Sequence, residues 1–340
     1  MARLTVTPVR LELRIPLRTA WGELRARDLL ELRLDFGGGD EGRGEAAPLE
    51  PYDGVPLAAV AAALDAYGAV LADAGPGDSH ADLLAACAAE RPLPAALAAV
   101  DLALWDRAGR RTGRPVAELL APSPAPRVAV NATLGAEDRA GAAEQAAAAA
   151  AAGFGCVKVK VGVGDDAGRL AAVRAALGPG PAIRIDANGA WASPREALAN
   201  LRALAPVGLE LAEEPIHGVA ALRAVRAESP VPVAMDETAA EPGAAGSGAA
   251  DLVCLKIARC GGISGLLATA DAARAAGSDV YVASSLDGPL GVAAGLHAAA
   301  ALGPLPHCGL ATLGLYRGCE DVLAPRAGAI RLPAGPGLLA

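Results

Sequence analysis

From residue 128 onward, short apolar runs take turns with alanine-rich stretches of helical character, and this alternation constrains the fold most. The runs are VAVNAT (128–133), CVKVKV (156–161), AIRIDAN (182–188), LELAEEP (209–215), VPVAMDE (231–237), DLVCLKI (251–257), DVYVASS (279–285) and HCGLAT (307–312). Most of the gaps between them have room for one helix. Eight strands in such a series predict a parallel sheet closed into an α/β barrel of TIM type. GAAEQAAAAAAAG, after the first run, reads as a plain barrel helix of maximal alanine propensity.

The first 120 residues follow another grammar. LTVTPVRLELRIPL and DLLELRLDF alternate like strands, GGGDEG turns between segments, and 55–120 is helical and rich in Ala and Leu. These predict an α+β capping domain over 1–122, ended by the Pro-punctuated APSPAPR. The barrel then spans 123–317, and a tail from about 318 to 340 packs with the cap. The chain's 340 residues suit a barrel with a smaller companion. Hydrophobic residues make up 53% but aromatics only 3%, so the core is built from Ala, Val and Leu, and stacking on bases is poorly supported.

A net charge of −8 argues against nucleic acid and anionic membranes as partners. The alanine run 146–152 is too short to span a bilayer, and the N-terminal residues lack the apolar block of a signal peptide. Six cysteines with no CxxC pair read as buried free thiols in a reduced cytoplasm. No glycine-rich phosphate loop follows a strand, so nucleotide binding is unsupported.

Chemistry in such a barrel gathers at the C-terminal strand ends. The second run sets Val157, Val159 and Val161 on one face and Lys158 and Lys160 on the other. Alone, such a pair reads as an edge strand blunted by charge. The later strand ends change that reading: Asp186 and Asn188, Glu213 and Glu214, Asp236 and Glu237, Lys256, then Ser284 and Ser285. Three acids on three successive strands offer hard oxygen ligands suited to Mg²⁺, with Mn²⁺ as a substitute. Lysines flank them from strands two and six, which face each other across a barrel of eight. Like charge and a nearby dication are expected to lower the pKa values of Lys158 and Lys160, as a base working near neutral pH requires. A dication would also stabilise the enediolate formed when a carboxylate substrate loses its α-proton.

The ordered set K-x-K, D-x-N, E-E-P, D-E and K resembles the enolase superfamily, in particular its muconate-lactonizing-enzyme subgroup. GRGEAAPLEPYDG (42–54) and PAALAAVDLALWDRAGRRTGRPVAELL (94–120) resemble the family's cap; RIDANGAW, EEP, MDET and LKIARCGGI resemble its barrel. The resemblance implies a modified (β/α)7β barrel under an α+β cap, with mobile cap loops near 17–24 and 47–54. It implies Asp186, Glu213 and Asp236 as Mg²⁺ ligands and Lys160 as the acid/base. Lys158 would tune Lys160 and contact the carboxylate, and Lys256 would act from the opposite face. Arg184, Asn188 and Glu237 would stand behind these groups or near the substrate. VNAT, DANGAW, SSLDGPLGVAAGL and CGL-x-T are most similar to o-succinylbenzoate synthases, with Ser284, Ser285 and amides near Gly309 holding a succinyl tail. N-Acylamino-acid racemase, dipeptide epimerase and muconate cycloisomerase activities stay open. The strand-eight Asp-x-Asp expected of a dipeptide epimerase is missing from HCGLAT. A Schiff-base aldolase would leave the three acids without a task, and a non-catalytic barrel would need no metal. The family ranges from monomer to octamer, so a homo-oligomer is open.

Overall fold

The structure, a computed structural model, describes residues 2–19, 22–135 and 138–339, with residues 18 and 19 as backbone only. Three antiparallel strands come first, in the order β1 (Arg3–Thr19), β2 (Gly22–Asp35), β3 (Glu41–Ala46). Five helices follow: α1 (Glu50–Asp53), α2 (Leu57–Leu71), α3 (His80–Glu90), α4 (Pro94–Thr112) and α5 (Val116–Leu120). Of the two expected cap loops, 17–24 includes residues 20 and 21, which lie outside the described residues. The other, 47–54, carries α1.

Period-two alternation in β2 sends Leu30, Leu32 and Leu34 into a core shared with Val60, Leu64 and Tyr67 of α2 and Ala96, Ala99 and Ala103 of α4. Strand β3 lies directly on α4. A Cβ at Gly42 would come within 1.9 Å of the Ala103 carbonyl oxygen, and one at Gly44 within 1.9 Å of that of Ala99. Glycine at i and i+2 on the strand, facing alanine at i and i+4 on the helix, permits this contact. Gly44→Ala is expected to destabilise the protein by about 1–3 kcal/mol through overpacking. A lowered denaturant midpoint with unchanged m-value checks it.

After the cap come β4 (Arg127–Ala129) and β5 (Ala132–Leu134), of which β5 opens the barrel sheet. Then come α6 (Arg139–Ala151), β6 (Cys156–Lys160), α7 (Asp166–Leu177), β7 (Ala182–Asp186), α8 (Pro194–Leu204), β8 (Leu209–Glu213) and α9 (Val219–Glu228). The series ends with β9 (Val233–Met235), β10 (Leu252–Leu255), α10 (Ile257–Cys260), α11 (Ile263–Ala275), β11 (Asp279–Val282), α12 (Pro289–Ala301) and β12 (Ala329–Arg331). Strands β5 to β11 pair in parallel, each with its neighbour in sequence. Alternation breaks once: between β9 and β10 only a 3₁₀ turn, Glu237–Ala240, stands in the place of a helix.

Two expected strands differ from their runs. VAVNAT changes partners partway: β4 pairs antiparallel with β12 in the tail, whereas Val130 bridges to Cys308 and β5 joins the barrel. HCGLAT is strand-like only at Cys308 and Gly309. Those two residues close the barrel, because Cys308 bridges to Val130 and Gly309 to Ala283. The seam's hydrogen bonds run from Asn131 N to Cys308 O (3.0 Å) and from Gly309 N to Val282 O (2.8 Å).

The tail returns to the first half of the chain. Gly337 N donates to Arg114 O, Val116 N to Gly337 O, and Leu338 N to the buried Asp106. His297, buried in α12, accepts from Ala117 N through Nδ1 while its Nε2 lies 3.0 Å from Leu338 O. That pattern fixes a neutral tautomer with the proton on Nε2, in keeping with the lowered pKa that burial imposes. Among the described residues no helix is long and apolar enough to cross a membrane.

Candidate active site

Parallel pairing puts the last residues of β6, β7 and β8 side by side: Lys160 is in register with Asp186, and Asp186 with Glu213. Asp186, Glu213 and Asp236 are all buried. Lys158 Nζ lies 2.8 Å from Asp186 Oδ2 and 2.6 Å from Glu213 Oε1. Lys160 Nζ reaches the same Asp186 oxygen at 2.8 Å and also donates to Asn188. On the far side, Lys256 Nζ donates to Asp236 Oδ2 at 2.7 Å. The three acids and three lysines named from the sequence therefore form one cluster. Lys160 has the most accessible of the three lysine side chains, 45% exposed against 18% for Lys158 and 8% for Lys256.

The chain is strained where these groups project. Asn188 (φ 45°), Glu214 (φ 39°) and Leu286 (φ 61°) are non-glycine residues in the left-handed region, just past strands β7, β8 and β11. Such outliers persist only where the surroundings over-determine them. Asn188 Nδ2 donates to Glu237 Oε1 at 2.9 Å. The buried Glu214 accepts from Asp236 N, Thr238 N and the Thr238 hydroxyl. His217 Nδ1 lies 3.0 Å from Glu214 Oε1.

The donor set fits a hard dication. Carboxylate oxygens of Glu213 and Asp236 come within 4.8 Å of each other. A lysine ammonium bridges Asp186 to Glu213. Buried Glu237 Oε2 has no hydrogen-bond partner among the described residues. Burial raises the Glu213 and Glu237 carboxyls above the ordinary carboxylate range. For Asp186, burial acts in the same direction, but Lys158 and Lys160 outweigh it and hold the pKa low. For Asp236, Lys256 and Arg259 do the same.

Several expectations need correcting. The pKa of Lys158 is raised, not lowered: burial pulls it down, but Asp186, Glu213 and Asp236 outweigh both burial and Lys256. Lys256, outside that pair, is raised as well, because Asp236 overcomes burial. Gly309 has no amide to spare for a substrate, since its N–H closes the barrel on Val282. Ser284 Oγ accepts from Asp287 N, whereas the buried Ser285 Oγ remains unpartnered among the described residues. Arg184 does not reach the cup: it is fully buried one layer lower, where it donates to Glu210 and to the His307 carbonyl.

Three further residues complete the site. Tyr52, in the cap loop 47–54, donates its hydroxyl proton to Asp236 Oδ2 (2.8 Å). The Tyr52 hydroxyl oxygen in turn accepts from Lys256 (2.5 Å) and Arg259 (2.8 Å). Arg259 also donates to Asp236 Oδ1 at 2.9 Å. Its place on the short helix α10, three residues after Lys256, is the sequence signal that could have found it. Tyr281 donates to Glu213 Oε2 at 2.8 Å from the inward face of β11. Tyr52→Phe removes three charge-assisted contacts at once. Hydrogen exchange at residues 50–54 is expected to quicken by about 10- to 100-fold, from roughly 1.5–3 kcal/mol for bonds to charged groups.

A second buried cluster ties cap to barrel beside strand β11. Glu45, at the end of β3, accepts from Gly288 N (2.7 Å) and Leu290 N (3.2 Å) at the start of α12. A Cβ at Gly288 or Gly291 would strike its carboxylate at 2.6 or 2.7 Å. Arg27 donates to the carbonyls of Ala47, Pro48 and Leu286. Burial and the facing Asp287 push the Glu45 carboxyl up to about 8.

Known proteins share this fold. Residues 1–121 match the family Mandelate racemase / muconate lactonizing enzyme, N-terminal domain, and residues 141–339 match Enolase C-terminal domain-like. An o-succinylbenzoate synthase of Mycobacterium tuberculosis is 43% identical over 212 residues, 59% of this chain and 62% of that protein. One from Mycobacterium marinum is 40% identical over 209 residues, 58% of this chain and 61% of that protein. The matched part thus spans about three fifths of these curated relatives. Among solved structures, the dipeptide epimerase of Enterococcus faecalis, complexed with Mg and L-Leu-L-Tyr, has a TM-score of 0.90 at 25% identity over 99% of this chain and 98% of that one. The muconate lactonizing enzyme of Pseudomonas fluorescens, complexed with muconolactone, has a TM-score of 0.89 at 28% identity over 98% of this chain and 94% of that one.

Proposed function

The chain belongs to the mandelate racemase / muconate lactonizing enzyme family of the enolase superfamily, and from that premise we propose that it removes the proton α to a carboxylate and acts as an o-succinylbenzoate synthase. The observation that carries the reading is the shared Asp186–Lys160 edge of the cup, with Lys160 the most exposed lysine and Lys256 opposite. Similarity to o-succinylbenzoate synthases at 43% identity supports the choice of substrate. That substrate is 2-succinyl-6-hydroxy-2,4-cyclohexadiene-1-carboxylate, and the product belongs to menaquinone biosynthesis. We read residues 1–122, with the tail from about 318, as the cap over the site.

Asp186, Glu213 and Asp236 would hold Mg²⁺. When bound, Mg²⁺ supplies positive charge that polarises a substrate carboxylate. Lys160 Nζ takes the proton from the ring carbon bearing the carboxylate. The electron pair of that C–H bond moves into the ring system, and the C6–hydroxyl bond breaks. Lys160 hands its proton to the departing hydroxyl, so one water leaves and the ring becomes aromatic. Lys256, kept cationic by Asp236, stabilises the charge that develops as the proton leaves. The loop 47–54, fastened by Tyr52, excludes water. Ser285 is the side chain at the end of strand β11 with an uncommitted hydroxyl for the succinyl end.

The test is loss of the substrate's ultraviolet absorbance on the Mg²⁺-loaded protein. We expect turnover that disappears with EDTA and returns with Mg²⁺. Absent turnover, α-proton exchange in D₂O with N-succinylamino acids examines the second reading, a racemase. The presence of both lysines and a TM-score of 0.89 to an N-succinyl Arg/Lys racemase of Bacillus cereus favour it.

A further inference from the structure

Three side chains of a different chemical kind meet near the other end of the barrel. Cys156 opens β6, four residues and about 13 Å before Lys160. Glu210 is the second residue of β8, at the irregularity in its pairing with β7, and His307 immediately precedes the closing strand. One donor atom from each lies within 4.8 Å of the other two. Cys156 Sγ and Glu210 Oε2 are 3.6 Å apart. Zn–S of about 2.3 Å and Zn–O of about 2.0–2.2 Å, at a tetrahedral angle, put sulfur and oxygen about 3.5–3.7 Å apart.

The surroundings position these donors. Arg184 is fully buried, donates from Nε to Glu210 Oε2, and donates from Nη1 to the His307 carbonyl at 2.5 Å. One guanidinium thus orients two of the three residues, as outer groups orient metal ligands. Gly155 lets the imidazole settle, since a Cβ there would come within 3.1 Å of His307 Nε2. Burial lowers the His307 pKa, which favours the neutral form that ligates. Glu210 and His307 are only half-buried, so an ion has a way in from solvent.

We propose that Cys156, Glu210 and His307 bind a borderline transition-metal dication of the Zn²⁺ class, at a site separate from the carboxylate cluster. Binding converts the Cys156 thiol to thiolate and releases its proton to solvent. The imidazole of His307 contributes a nitrogen lone pair, and Glu210 contributes a carboxylate oxygen. Thiolate and carboxylate together balance the dication, and solvent water takes the fourth position. The ion would staple β6, β8 and the residue entering the barrel seam, reaching past β7. A hard cation such as Mg²⁺ is disfavoured by the sulfur and nitrogen donors.

The test uses the metal-depleted full chain in excess Mg²⁺, titrated with Co²⁺. One equivalent is expected to bind with a thiolate-to-cobalt charge-transfer band, and Zn²⁺ should displace it. Cys156→Ser should abolish the band, and His307→Ala should weaken Co²⁺ binding at least tenfold, with folding checked by circular dichroism. No band in the parent chain overturns the proposal. So does a band that survives in C156S, which would assign it to Cys254 beside Glu213 and Asp236. If C156S does not fold, H307A decides, and unchanged Co²⁺ affinity there overturns it. None of these readouts depends on turnover, so they stand apart from the proposed activity.

Discussion

Lys160→Ala is expected to lower kcat for the proposed dehydration by about 10²–10⁴-fold, the usual worth of a positioned general base. KM should change little. Lys160 has the most exposed side chain of the three lysines, and it shares its Asp186 oxygen with Lys158. Removing it leaves Asp186 and Glu213 still bridged by Lys158. Mg²⁺ affinity, read by calorimetry, is therefore expected to hold, which separates loss of the base from loss of the metal site. Lys158→Ala should behave differently, because it strips that bridge and leaves two buried carboxylates facing each other. A K160A protein with kcat within a few-fold of the parent would remove Lys160 from the chemistry.

Glu45→Gln is expected to flatten the dependence of stability on pH. The Glu45 carboxyl titrates near 8 in the native state and near 4.5 when unfolded. Between those values the native protein keeps a proton that the unfolded chain has lost, so stability falls as pH rises. Above about 8 the loss is complete, and the two pKa values imply a penalty on the order of a few kcal/mol. Glutamine cannot ionise, so this contribution vanishes. Urea unfolding of both proteins from pH 5 to 9 should show the parent losing its advantage over E45Q as pH rises. Parallel curves would mean that Glu45 does not retain its proton at the cap–barrel joint.

What the sequence revealed of the site was whatever strand periodicity and spacing control. Lys158 and Lys160 alternate on one strand, and the acids at 186, 213 and 236 end successive strands, so their convergence follows from parallel pairing alone. Tyr52 was not legible, because it meets Lys256 across 204 positions of chain through the docking of a loop. The direction for Lys158 was misread for a countable reason: the expectation counted a like-charged neighbour and a dication, both lowering the pKa, and left out the carboxylates. In the structure three carboxylates face Lys158. Gly309 was misassigned because closing the barrel with two residues consumes its backbone, and sequence does not report which amides a seam uses. The eight-strand count was readable, but VAVNAT conceals a change of partner at Val130, since apolar alternation looks the same beside a tail strand or a barrel strand.

That seam also sets an order of events during synthesis. Barrel closure depends on Cys308 and Gly309, β4 waits for Ala329–Arg331, and the cap's own edge is joined by contacts from Leu13 to Tyr316 and from Arg114 to Gly337. A ribosome must therefore release the chain through Gly337 before either half can finish folding. Until then β5 and β11 each present an unpaired edge, in the condition in which sheets recruit strands from other molecules. Such long-range closure predicts slow refolding. The nascent chain would depend on chaperones late rather than early, and deletion of the last few dozen residues would disturb the first strand as much as the last.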